Sequence, residues 1–238
     1  MIVYTAENII NLRDAGGYPC PGGEIRRGFV FRCGIPKAPT ENDFALLRSL
    51  GIKTIIDLRG DKEDADMPST IPARKEFDYF RIPLLDANPA LNDPAFPMSE
   101  MYMKSLREYS AGYAGLFRLI STLREPFLFH CFLGKDRTGI VAALLQEICG
   151  AGREDILDDY SATYRLIKPF VEREIELKTG LIWEQDTSRL QSEKETMQNV
   201  FLTLDRECSG AEGYLQEAGA DPAVLQRIRH LLVADKTD

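Results

Sequence analysis

A single short stretch limits what this chain can be: Phe127-Leu-Phe-His-Cys-Phe-Leu-Gly-Lys-Asp-Arg-Thr-Gly-Ile140. The apolar run Phe127 to Phe129 predicts a buried strand. Ile140, Val141, Leu144, Leu145 and Ile148 recur on one helical face, and Gly150 supplies a stop. Between strand and helix, Cys131 and Arg137 stand six positions apart. A loop that curls at a helix N-terminus turns successive backbone N–H groups inward and cradles an anion. The amide dipoles, the helix N-terminus and the Arg137 cation all favour a Cys131 thiolate over the thiol. A phosphate in the same cradle meets the same donors, and the Arg137 fork can grip two of its oxygens. The amides of Phe132, Leu133, Gly134, Lys135 and Asp136, with Arg137, are therefore the expected phosphate-binding set, and Cys131 the expected nucleophile. Gly134 and Gly139 allow tight turning and close approach, and Thr138 places a hydroxyl where it can stabilise a departing thiolate.

Two other loop chemistries fit less well. A nucleotide P-loop needs a glycine where Phe129 stands and a Ser or Thr where Asp136 stands. A sulfur-transfer loop does not call for the leading His130 or the trailing Arg137-Thr138. The full string His-Cys-Phe-Leu-Gly-Lys-Asp-Arg-Thr resembles the His-Cys-x-x-Gly-Lys-Asp-Arg-Thr loop of bacterial tyrosine and dual-specificity phosphatases of the mycobacterial tyrosine phosphatase B type. Asn11-Leu-Arg-Asp14 before Gly16-Gly17, Phe31-Arg-Cys-Gly34, Asp57-Leu-Arg59 and Asp158-Asp-Tyr-Ser161 resemble further segments of that family. The resemblance implies a cysteine-dependent phosphatase with a phosphocysteine intermediate, acting on phosphotyrosine or on several phosphorylated residues. A phosphoinositide phosphatase is the alternative within that chemistry, and a catalytically silent phosphate-binding module the alternative outside it.

The resemblance also leaves two candidates for the general acid. Asp136 lies in the loop itself, where the family motif has an aspartate, but Lys135, Arg137 and the helix dipole favour its ionised form. Asp86 lies on the irregular, Pro-rich stretch after a predicted strand, the place from which cysteine phosphatases generally deliver their acid. Asp136 is the first choice and Asp86 the second. Lys135 is expected either to contact a further phosphate on an inositol ring or only to offset charge at the rim.

The rest of the chain predicts an α/β fold: a mainly parallel central sheet flanked by helices, with a helical C-terminal part, in one domain spanning 1–238. Asn8 to Tyr18 and Gly28 to Cys33 read as an N-terminal hairpin, and Arg13 and Asp14 as either a buttress of the site or a surface turn. Thr40 with Asp43 predicts a capped helix ending at Gly51. Lys53 to Arg59 and Phe77 to Leu84 predict strands, with Asp61 to Asp66 a solvated loop between them. A long helix is expected from Ser99 to Arg124, broken or loosened near Gly112 and Gly115. Helices follow after Gly150, interrupted at Pro169, with a possible lid over about 165–195.

Charge and composition bound the partners. A formal net charge of −8 argues against nucleic acid and against a generally membrane-binding surface, and favours soluble substrates drawn to a local positive pocket; the partner the resemblance implies is a phosphorylated protein or a phosphoinositide. No transmembrane segment and no signal peptide is legible, so a cytoplasmic location is expected, with unconventional export as the alternative. Five cysteines form no Cys-x-x-Cys pair, and Cys33 and Cys149 read as core residues or as guards of the nucleophile. With only His130 and His230, no metal site and no cofactor is expected, and His130 reads as a residue that orients the loop.

Overall fold

The computed structural model describes residues 1–85, 96–177 and 189–235. In chain order it forms β1 (Arg13–Asp14), β2 (Pro19–Cys20), β3 (Gly23–Ile25), β4 (Val30–Cys33), α1 (Glu41–Ser49), β5 (Thr54–Asp57), α2 (Asp61–Asp66) and β6 (Asp78–Arg81). Then come α3 (Met98–Glu108), α4 (Ser110–Ile120), β7 (Phe127–His130), α5 (Asp136–Ile148), α6 (Arg153–Glu176), α7 (Lys194–Cys208), α8 (Gly210–Glu217), α9 (Pro222–Leu232) and β8 (Val233–Asp235). The main sheet runs β1-β4-β7-β5-β6, parallel throughout except where β1 pairs antiparallel with β4. The N-terminal hairpin is present, with Arg13 opposite Arg32.

Strand β7 is the middle of the sheet and is buried on both faces, as its unbroken apolar run requires. Phe127 and Phe129 face a large core that includes α3, α4 and α5. Leu128 faces the opposite layer, with Phe31, Ile55 and the α1 residues Phe44 and Leu47. Helix α1 begins with the expected capping box, Thr40 and Asp43 bonding each other's backbone. Register places Cys33, Asp57 and His130 side by side at the carboxyl ends of three parallel strands. That end of an open α/β sheet is where a crevice forms.

Several elements differ from the expectation. The break expected near Gly112 and Gly115 in the helix over Ser99 to Arg124 falls earlier, α3 and α4 meeting at Tyr109. Gly112 does not loosen it: a Cβ there would meet the Leu84 side chain at 3.2 Å and the Pro83 carbonyl at 3.3 Å, so the glycine serves close packing. Helix α6 runs unbroken through Pro169. A proline removes one backbone bond, and here Ile167 and Val171 on either side remain buried against Leu133 of the cysteine loop. Asp61 to Asp66 is helical, with Gly60 N–H donating to Glu63 at 3.1 Å. The chain after α9 turns into β8, which joins β2 and β3 in a small second sheet. Helix α5 is buried on nearly all sides rather than on one face, eleven of its thirteen residues being buried. Its small residues Gly139, Ala142 and Ala143 permit that approach.

Candidate active site

Cys131 to Lys135 connect the end of β7 to the start of α5 and make one tight turn. Gly134 has φ +70°, and a Cβ there would lie 2.4 Å from the carbonyl oxygen of Cys33. Only glycine fits, because the loop is pressed against the end of β4. Three consecutive loop carbonyls are tied outward. The Ile35 N–H donates to the Phe132 carbonyl at 2.8 Å. The Asn11 side-chain amide donates to the Leu133 and Gly134 carbonyls, each at 3.1 Å, and Arg32 Nη2 donates to the Gly134 carbonyl at 3.0 Å. In a trans peptide the N–H points opposite to the C=O. The N–H groups of Leu133, Gly134 and Lys135 are therefore turned the other way, toward the loop's interior.

Behind the loop lies a buried charge network. Asp159 on α6 accepts from Arg13 Nε at 2.9 Å and from Arg32 Nη1 at 2.6 Å. Arg13 also donates to the Asp159 carbonyl at 3.1 Å, to Thr163 at 2.8 Å and to the Asn11 side chain. Burial works against the Asp159 carboxylate, but the two guanidiniums outweigh it and hold its pKa at about 2. Burial, with Arg13 beside it, pulls Arg32 down to about 10, still charged at neutral pH. Two cations and one anion leave a net positive charge under the loop. Arg13 thus buttresses the loop and is not part of a surface turn. Asp14 is buried too, but its carboxylate braces the backbone N–H groups of Gly16 (2.8 Å) and Gly28 (2.6 Å).

A second network lies at the end of β5. Arg59 is fully buried and donates to Asp57 at 2.6 Å, to Asp64 at 3.0 Å and to the Met67 carbonyl at 2.7 Å. Burial again opposes ionisation of Asp57, yet His130, Arg59 and the Tyr79 hydroxyl keep its pKa at about 2. These bonds hold α2 over the cysteine loop and bring Glu63 onto Arg137. Glu63 Oε1 accepts from Arg137 Nη2 at 2.7 Å and Oε2 accepts from Nη1, while the Leu85 carbonyl accepts from Nη1 at 3.0 Å. The carboxylate spans the Nη1–Nη2 end of the guanidinium, which leaves the Nε–Nη2 side with a pair of parallel donors for an oxyanion. Burial disfavours the Arg137 cation, but Glu63 and Cys131 more than offset it and raise its pKa. Glu63 was not among the sequence candidates. Its only signal is its place in an acidic stretch just after Asp57-Leu-Arg59.

The remaining candidates cluster around Cys131, which is 2% exposed. His130 is fully buried, with Nδ1 3.3 Å from the Cys131 carbonyl and 3.8 Å from Asp57. Burial lowers its pKa, although Asp57 pulls the other way, and the ring braces the loop. The Thr138 hydroxyl is buried without a hydrogen-bond partner among the described residues. Lys135 is not at the rim: it is 1% exposed, with Nζ 2.7 Å from Asp136 Oδ1 and 3.4 Å from the Gln191 carbonyl. Asp136 Oδ1 also accepts from the Tyr102 hydroxyl at 2.6 Å. Burial raises the Asp136 pKa, but Lys135, Tyr102 and Arg137 together lower it. Asp86 lies outside the described residues, as does 178–188 of the expected lid. Of that segment, 165–176 continues α6, and Ser192 bonds the Ser161 carbonyl (2.8 Å) and the Tyr164 N–H (2.9 Å).

Cys33 and Cys149 are both buried and free of disulfides. Cys33 faces the layer opposite Cys131, and burial, then Cys131 nearby, raises its pKa well above the ordinary thiol range. Cys149 caps the far end of α5, about 20 Å of helix away. Both are core residues. Among the described residues no helix is long and apolar enough to cross a membrane.

Residues 4–234 match the profile of the "Tyrosine phosphatase family". A relative from Cupriavidus necator that carries the name tyrosine-protein phosphatase is 31% identical over 168 residues, 65% of this chain and 60% of the relative. The tyrosine-protein phosphatase of Nostoc commune is 29% identical over 80% of this chain and 69% of its own length. The triple specificity protein phosphatase PtpB of Mycobacterium tuberculosis is 26% identical over 88% of this chain and 92% of its own. This chain thus spans under two thirds of the length of the Cupriavidus protein.

Proposed function

Because this chain belongs to the tyrosine phosphatase family, we propose that it hydrolyses phosphate monoesters through a phosphocysteine on Cys131. The observation that carries this reading is the trio of loop carbonyls tied outward beside an Arg137 whose Nε–Nη2 side meets no acceptor among the described residues. Loop amides and Arg137 bind the three non-bridging oxygens and stabilise the charge that spreads over them in the transition state. Cys131 Sγ attacks phosphorus, and the bond from phosphorus to the substrate oxygen breaks. Asp136 gives that oxygen its proton, so the alcohol or phenol leaves neutral. Water then attacks phosphorus, the S–P bond breaks with thiolate leaving, and the Asp136 carboxylate takes the proton from water. The Thr138 hydroxyl, uncommitted among the described residues, is available to the departing thiolate. The scheme draws on no metal ion or cofactor.

Asp136 is preferred over Asp86 because it is held at the loop by the Tyr102 hydroxyl and the Lys135 ammonium on one oxygen. A phosphotyrosine or dual-specificity protein substrate is preferred over a phosphoinositide. Lys135, the residue that would meet a second phosphate, is buried under the Gln191 carbonyl and committed to Asp136. The name of the mycobacterial relative, triple specificity, supports a broad substrate range within the same chemistry. We read residues 1–238 as one catalytic domain, acting in the cytoplasm.

The test is a panel of phosphotyrosine, phosphoserine or phosphothreonine peptides and phosphoinositides, run with wild type, Cys131→Ser, Asp136→Ala and Asp86→Ala. Hydrolysis abolished in Cys131→Ser and fastest on phosphotyrosine is expected. An active Cys131→Ser protein would refute the nucleophile, and an inactive wild type that still binds vanadate would make the chain a phosphate-binding module.

A further inference from the structure

Asp136 is held in an uneven way. Its Oδ1 accepts a hydrogen bond from the Tyr102 hydroxyl at 2.6 Å and is ion-paired with Lys135 Nζ at 2.7 Å. Its Oδ2 has no partner among the described residues. One hydrogen bond and one ion pair both fall on Oδ1, so Oδ2 is the uncommitted oxygen with room for a proton. Behind Tyr102 stands a second phenol: the Tyr160 hydroxyl lies 2.7 Å from that of Tyr102. An ionised carboxylate only accepts, so Tyr102 must spend its single proton on Asp136. Tyr160 must then donate to Tyr102. The two hydroxyls form a directed chain ending on Oδ1.

We propose that Tyr102, backed by Tyr160, is the positioning residue of the general acid: it fixes Oδ1 of Asp136 and leaves Oδ2 as the oxygen that carries the proton to the leaving group. This rests on Asp136 being the acid. The chain is rigid. Tyr102 on α3 and Tyr160 on α6 are buried and meet edge to face, ring centroids 6.2 Å apart at 88°. Tyr160 also lies against α5, where a Cβ on Gly139 would come within 3.1 Å of its ring. Burial, then Asp136, pushes loss of the Tyr102 proton well above the ordinary phenol range, so Tyr102 stays a neutral donor while the enzyme works.

The charged and titratable groups facing Asp136 are Lys135 and Arg137 from its own loop, Tyr102 from α3 and Tyr160 from α6. Cys131 and Glu63 act on it through Arg137, their shared neighbour. Removing the Tyr102 hydroxyl leaves every one of those charges in place and deletes one donor to the carboxylate. Asp136 then keeps its proton to higher pH.

The experiment measures kcat against pH for wild type, Tyr102→Phe, Tyr160→Phe and Asp136→Asn. Each is run on p-nitrophenyl phosphate, whose leaving group needs little protonation, and on phenyl phosphate, whose leaving group needs more. In Tyr102→Phe the alkaline limb of kcat is expected to move up by about one pH unit, since a hydrogen bond to a charged group is worth roughly that much. The plateau on phenyl phosphate is expected to fall more than that on p-nitrophenyl phosphate, because the acid is less well aimed. Tyr160→Phe is expected to shift the limb the same way by less, and provides the reading should Tyr102→Phe fold poorly. Asp136→Asn is expected to lose the limb and to be far slower on phenyl phosphate. An unmoved limb in both tyrosine variants, with Asp136→Asn behaving as expected, overturns the role of Tyr102 and leaves the acid in place. If Asp136→Asn itself keeps the limb and the wild-type ratio between the two substrates, the acid is another group and the Tyr102 assignment falls with it.

Discussion

Replacing Asp159 by asparagine tests whether the cysteine loop depends on the charge network behind it. Asp159 is the anion that faces both Arg13 and Arg32, and all three side chains are at most 1% exposed. Asparagine keeps the size and one acceptor but removes the charge, leaving two guanidiniums buried without a counter-ion. Breaking a buried pair in this way typically costs about 3–5 kcal/mol. The titration of Asp159 gives an independent lower figure. A pKa held at about 2, against an ordinary value near 4, corresponds to about 2 kcal/mol of stability at neutral pH. The larger figure is expected for the variant, because the asparagine amide also turns a donor toward donors. Arg32 is already short of acceptors, its Nε being buried without a partner among the described residues.

The sign with pH follows from the direction of the shift. A carboxyl whose folded pKa is depressed contributes its full stability above the unfolded pKa and loses it as pH falls toward the folded value. The gap between wild type and Asp159→Asn, measured by urea denaturation, is therefore expected to be full above about pH 5 and to shrink as pH falls toward about 2. Arg32→Met separates loop from fold. It leaves a neutral Arg13–Asp159 pair, so it is expected to destabilise less than Asp159→Asn. It also removes the donor to the Gly134 carbonyl, so phosphatase activity is expected to fall about 10-fold or more at temperatures where the protein stays folded. A stability loss below about 1 kcal/mol in Asp159→Asn, or a gap that stays constant down to the folded pKa, would refute the reasoning.

Three further substitutions probe other parts of the site. Glu63→Gln weakens the clamp on Arg137, so the inhibition constant for vanadate and KM for p-nitrophenyl phosphate are both expected to rise, with kcat/KM down about 10-fold; tighter vanadate binding would mean instead that Glu63 competes with the anion. Gly134→Ala places a Cβ against the Cys33 carbonyl in a left-handed conformation, and activity is expected to fall at least about 10-fold while circular dichroism stays native-like. Gly112→Ala, which would raise stability by helix propensity alone, is expected to lower it by about 1 kcal/mol because the methyl group meets Leu84 and the Pro83 carbonyl.

What was legible in the sequence is what the chain encodes locally. The run Phe127–Phe129, the turn at Gly134 and the apolar residues from Ile140 to Ile148 are neighbours, so strand, loop and helix could be read in place, and Thr40 with Asp43 announced α1 in the same way. Gly112 and Pro169 misled for a related reason. Each has a local effect on a helix, but Leu84 and Leu133, remote in sequence, decide the outcome. The partners that aim the site are the least legible. Glu63 precedes Arg137 by 74 positions, Tyr102 precedes Asp136 by 34, and Asp159 follows Arg13 by 146. No periodicity joins such pairs; only the order β4-β7-β5 does, by setting the ends of three strands side by side so that helices from both flanks reach one loop. A cysteine–arginine spacing can therefore announce the chemistry, while the direction in which Arg137 and Asp136 point is a property of the assembled sheet.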